Sequence, residues 1–109
     1  MALLPPFYNG DMTREKLTGE DLDAQLLGLP TWIVKNEKLH REYKFPDFAL
    51  AMGFMAAAAI RIEKLDHHPE WFNVYNRVSI DLTTHDAGGI TRRDIELARL
   101  LEDIARKLV

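Results

Sequence analysis

Residues 63–94 read EKLDHHPEWFNVYNRVSIDLTTHDAGGITRRD, and this stretch decides the fold. Its middle alternates. Val78, Ile80, Leu82 and Thr84 fall on one side, and Arg77, Ser79, Asp81 and Thr83 on the other. That period of two marks a half-buried strand with a polar outer face, as antiparallel sheets show. Residues 71–75 give a shorter strand before it, joined by a tight turn near Tyr75 and Asn76 or by a bulge in one long strand. Pro69 stops the helix that precedes. Residues 86–90 form a Gly-Gly loop, and a last helix starts at Thr91, where Thr91 and Asp94 have capping-box spacing. Three of the four histidines lie here: His67 and His68 at a helix end, His85 at a strand end. Titratable rings at element ends point to a pocket rim rather than a core.

Upstream, Pro46 disfavours helical geometry at Phe45, and Asp47 can cap a helix over residues 47–66. Within residues 48–62 only Arg61 is charged. Phe48, Met52, Met55, Ala59 and Ile62 make one stripe, with Leu50, Phe54, Ala57 and Ala58 largely outside it. A helix apolar nearly all round needs burial on both sides. A small sheet covers one side, so a second copy of the chain is expected on the other. Before it, residues 38–45 form a strand with Leu39, Arg41, Tyr43 and Phe45 on one face; His40 falls on the other and reads as solvated. A strand at residues 32–34 pairs with it through a turn at Asn36-Glu37. A short helix opens at Thr18, with capping-box spacing to Asp21 and a stripe of Leu22, Leu26 and Leu29, and ends at Gly28 and Pro30. Residues 1–17 read as a flexible arm and residues 18–109 as one domain. In the last helix Leu97, Leu101, Ile104 and Leu108 are amphipathically spaced. The order α-β-β-α-β-β-α predicts an α+β fold, a four-stranded antiparallel sheet with three helices on one face.

With 109 residues the chain supports one modest core. A net charge of -3 gives no support to nucleic-acid binding through phosphates. The absence of cysteine excludes disulfides, thiolate nucleophiles and cysteine-based zinc sites. The first residues lack the basic and long apolar regions of a secretion signal. The longest apolar run, residues 48–60, is too short to span a bilayer. A cytoplasmic protein without membrane or nucleic-acid partners is therefore expected.

Spacing constrains the histidines without assigning them. Adjacent helical residues point about 100° apart, so His67 and His68 do not chelate one ion comfortably while the chain stays helical. The i, i+4 pattern of helical metal sites is absent. A three-histidine metal site with His85 stays conceivable where the backbone leaves the helix. The alternatives are proton transfer, since histidine titrates at about pH 6.5, or polar loop residues without a chemical role.

A longer pattern goes further. Glu63-Lys64-Leu65-Asp66-His67-His68-Pro69-Glu70-Trp71, then Asn73-Val74-Tyr75-Asn76, Thr84-His85-Asp86 and Gly88-Gly89-Ile90-Thr91 with Asp94, resembles the pterin-4a-carbinolamine dehydratase family. Residues 45–48 and Gly53-Phe54-Met55 match too, and the resemblance covers roughly residues 18–109. It implies dehydration of 4a-hydroxytetrahydropterin to quinonoid dihydropterin, recycling the cofactor of aromatic amino acid hydroxylases. No bound cofactor or metal is implied. His67, His68 and His85 match the family's active-site histidines, so the resemblance implies acid–base catalysis by them. Contacts to the pterin are expected from His67, His68, Pro69, Thr84, His85, Asp86 and Trp32, with Asp94 and Glu63 in support. It also implies a homodimer or homotetramer through the helix at 47–66 and the sheet edges. The competing expectation is a non-enzymatic oligomeric adaptor on the same fold, a role some family members have in transcription-factor dimerisation or assembly.

Overall fold

In the computed structural model, which describes residues 14–108, two tight hairpins make the sheet. β1 (Ile33–Lys35) and β2 (Lys38–Lys44) are joined by Asn36 and Glu37, both at positive φ, 53° and 63°. A two-residue turn with that geometry matches the twist of the strands it connects. β3 (Glu70–Val74) and β4 (Arg77–Leu82) are joined at Tyr75 and Asn76, with Tyr75 at φ 53°. The break near Tyr75 is thus a turn and not a bulge. The hairpins associate through β2 and β4, giving the antiparallel order β1-β2-β4-β3. Asn76 seals the junction: its side chain donates to the Phe45 carbonyl and its own carbonyl accepts from Phe45 N–H, each at 2.8 Å.

Three helices complete the expected α+β order: α1 (Gly19–Leu26), α2 (Phe48–Leu65) and α3 (Arg92–Leu108). They bury Leu39, Tyr43, Val78, Ile80 and Leu82 on one sheet face, against Phe54, Ile62, Ile95, Leu97 and Leu101. The opposite face carries the polar alternates. On it His40 is not solvated as its strand position suggested; its Nδ1 pairs across strands with Asp81 Oδ1 at 2.9 Å.

Two local expectations are corrected. Thr18 makes no side-chain cap, because Gly19 takes a left-handed φ of 52° and turns the chain between Thr18 and the amides it would serve. In α2 the core face is Ala51, Phe54, Ala58 and Ile62, whereas Phe48 and Met52 of the expected stripe are about half exposed. An all-round apolar helix does not declare its inner face by periodicity; here the inner face places alanines on either side of Phe54. Asp47 caps α2 as expected, accepting from Leu50 N–H at 2.8 Å. Residues 1–13 of the expected arm lie outside the described residues. Leu17, at its end, is buried and donates its N–H to the Ile90 carbonyl at 2.7 Å.

Candidate active site

The end of α2 sets the site. Asp66 closes the helix in a left-handed conformation (φ 55°, ψ 41°), its N–H bonded to the Ile62 carbonyl. Asparagine and aspartate tolerate that region better than most residues. The turn aims the next residue, His67, under the start of α3, while Pro69 restricts His68 to extended geometry. The two rings therefore diverge: His67 is buried, and the His68 side chain is 58% exposed.

His67 Nε2 lies 2.5 Å from Asp94 Oδ1. Asp94 is fully buried, and its other oxygen accepts from Thr91 N–H at 2.8 Å and Thr84 Oγ1–H at 2.9 Å. The direction of this network follows from counting protons. Thr84 spends its one hydroxyl proton on Asp94, so the 2.8 Å contact between the two threonine hydroxyls is donated by Thr91. Thr91 Oγ1 in turn accepts from Arg93 N–H at 3.2 Å. The cap of α3 is thus also the seat of His67. Leaving such a buried carboxylate short of a donor would cost about 1–3 kcal/mol.

His85 opens a 3-10 turn, His85–Ala87, that follows β4 and closes through Gly88 at φ 72°. Its Nε2 lies 3.4 Å from Glu70 Oε2, and His68 Nε2 lies 3.1 Å from Glu63 Oε1. Each of the three rings thus meets a different carboxylate through Nε2. The rings share an open cleft of about 290 Å³, also lined by Asp66, Thr84, Asp86 and Arg93. Arg93 was not singled out from the sequence. Its guanidinium donates to the Asp66 carbonyl at 2.8 Å, joining the end of α2 to the first turn of α3. A second, more apolar cleft of about 380 Å³ adjoins at His68, with Glu63, Pro69 and Trp71 in its wall. Among the described residues no three histidine, aspartate or glutamate side chains are arranged to hold a metal ion.

Trp32 is not brought to this cleft. It is buried before β1, three strands from β3, and donates Nε1–H to Glu102 Oε1 at 3.0 Å. Three interstrand spacings amount to roughly 14 Å. Within this chain Trp32 has a packing role. Glu102 Oε1 also accepts from Tyr43 Oη at 2.6 Å and Arg41 Nε at 3.3 Å. Burial alone would raise the Glu102 pKa, but the bonds from Tyr43 and Trp32 and the Arg41 charge leave it below the ordinary carboxylate value. Burial, and then the bond to Glu102, push the Tyr43 phenol up, so it stays a donor.

Comparison with known proteins matches residues 15–104 to the family model described as "Pterin 4 alpha carbinolamine dehydratase". A pterin-4-alpha-carbinolamine dehydratase, so assigned by name, from Solibacter usitatus is 57% identical over 90 residues, covering 83% of this chain and 95% of the relative. One from Burkholderia cenocepacia is 51% identical over 92 residues, covering 83% and 90%. The crystal structure of a transcriptional coactivator/pterin dehydratase from Brucella melitensis superposes with a TM-score of 0.81 at 47% identity, covering 84% of this chain and 99% of that one.

Proposed function

Because the chain belongs to the pterin-4a-carbinolamine dehydratase family, we propose that the cleft shared by His67, His68 and His85 is where it handles its pterin. The protein is a hydro-lyase that converts 4a-hydroxytetrahydropterin to quinonoid dihydropterin and water, recycling the tetrahydropterin cofactor. The reaction expels the C4a hydroxyl and removes the N5 proton, leaving a C4a=N5 double bond. A protonated imidazole hands its proton to the departing oxygen, and a neutral one takes the proton from N5. We assign His67 to the N5/C4a centre, His85 to the leaving hydroxyl, and His68 to positioning or proton exchange.

The observation that carries this assignment is the convergence of three rings on one cleft, each with its own carboxylate at Nε2. Such a partner fixes which nitrogen bears the proton and directs the other outward. Asp86 and the backbone beside Thr84 offer polar contacts to the pterin ring; the Thr84 hydroxyl is already given to Asp94. Stopped-flow loss of synthetic 4a-hydroxytetrahydropterin, followed by ultraviolet absorbance, tests the reading. Wild-type protein is expected to accelerate the decay, and alanine at each histidine to slow it; full activity in all three variants would end the proton-transfer account.

Family membership also supports self-association. We assign it to the outer face of α2, where Phe48, Met52 and Ile60 are exposed, and to the sheet edges, giving a dimer or tetramer. A second reading, an oligomeric adaptor, draws on the Brucella melitensis protein, whose structure carries both the coactivator and dehydratase descriptions. No acceleration in the stopped-flow assay would favour it. A cytoplasmic location fits either reading.

A further inference from the structure

Of the three rings, His85 has the least to hold it. Its side chain is 79% exposed, on a three-residue turn. A ring so placed samples several rotamers, and directed proton transfer needs one. The geometry points to Glu70 as a positioning residue for His85, acting from a carboxylate that Lys38 clamps across the end of β4.

Three elements build the clamp. β4 lies between β2 and β3, and the chain leaves it to enter the His85 turn. Lys38 is the first residue of β2 and Glu70 the first of β3, so their side chains meet over that exit. Lys38 Nζ donates to Glu70 Oε1 at 2.6 Å, which leaves Oε2 toward His85 Nε2 at 3.4 Å. The two carboxylate oxygens thus have separate tasks, one for the clamp and one for the ring. The Lys38 hydrogen bond is the largest influence and holds the Glu70 carboxyl below its ordinary value against the opposing effect of burial, with the charges of Lys38 and His85 adding to it. It is therefore ionised wherever histidine chemistry runs. Other charged groups around His85 are Asp86 on its own turn and Asp66 and Arg93 across the cleft, with Asp81 of β4 acting on Lys38.

Exposed ion pairs of this kind add little to folding stability. The consequence of the clamp lies in orientation. With Nε2 turned to Glu70, His85 presents Nδ1 to a bound molecule, the same nitrogen that His67 and His68 leave over when Nε2 meets Asp94 and Glu63. One shared rule then governs all three rings.

The inference rests on the dehydratase reading, and its test separates the two. In the stopped-flow assay Glu70→Gln is expected to lower kcat about three- to tenfold, with KM within about twofold, and Lys38→Met to do part of the same. In a His85→Ala background Glu70→Gln is expected to change nothing further, since it acts through the missing ring. Wild-type kcat in Glu70→Gln, or an equal loss with and without His85, would overturn the inference. Independently of turnover, carbon-13 NMR of the Glu70 carboxyl should show its titration moving up in Lys38→Met and, by less, in His85→Ala. A Glu70 carboxyl indifferent to His85 also overturns it. Loss of turnover in the wild type, with the NMR coupling intact, would sink the dehydratase reading and leave the contact standing.

Discussion

Asp94 joins two tasks in one carboxylate. One oxygen caps α3 by accepting from Thr91 N–H, and the other holds His67. Asparagine offers one acceptor oxygen and a donor where Asp94 had two acceptors, so it cannot serve both sides. Asp94→Asn is expected to lower kcat about a hundredfold and to destabilise the fold by about 1–3 kcal/mol. Single-turnover dehydration and urea unfolding measure the two separately. At this scale the sequence was legible wherever partners are close along the chain: the Thr91–Asp94 cap could be read from spacing. Glu70 and Arg93 could not. Their contacts are to Lys38, 32 residues away, and to Asp66, 27 residues away, and only strand order and the left-handed end of α2 bring these groups together. The place of Trp32 was hidden for the same reason, since a short local match carries no information about which sheet edge the residue occupies.

Among the elements, α3 depends on Glu102 for its tie to the first hairpin. Trp32, Arg41, Tyr43 and Thr31 all donate to a single oxygen of that side chain. Glu102→Gln is expected to cost about 2 kcal/mol at neutral pH. Its folded-state pKa lies below the unfolded value. The stabilisation is therefore complete above the ordinary carboxylate range of about 4.3 and is lost as pH falls through the folded pKa. Wild type and Glu102→Gln should converge in chemical denaturation as the pH is lowered. The strands were readable because alternation fixes both element and face. The inner face of α2 was not, because its apolar residues surround the axis and only packing against Tyr43, Phe45 and α3 selects Ala51, Phe54 and Ala58.

For the whole molecule, that ambiguity has a positive meaning. What the core does not use of α2 remains outside, with Phe48, Met52 and Ile60 between 45% and 66% exposed. None of the described helices is long and apolar enough to cross a membrane; the proposed self-association would cover these side chains. Met52→Glu combined with Ile60→Glu is expected to shift sedimentation toward the monomer; an unchanged sedimentation coefficient would move the subunit contact elsewhere. Because α2 also leads, through Asp66, into His67, weakened association should register in activity. The contact between His67 and Asp94 has a further consequence, one of timing. The ring is translated 27 residues before the carboxylate that seats it, an interval of about one to five seconds at common ribosomal rates. A nascent chain thus carries all three imidazoles of the cleft before it can orient the buried one, and on the proposed assignment it acquires its chemistry only when α3 docks.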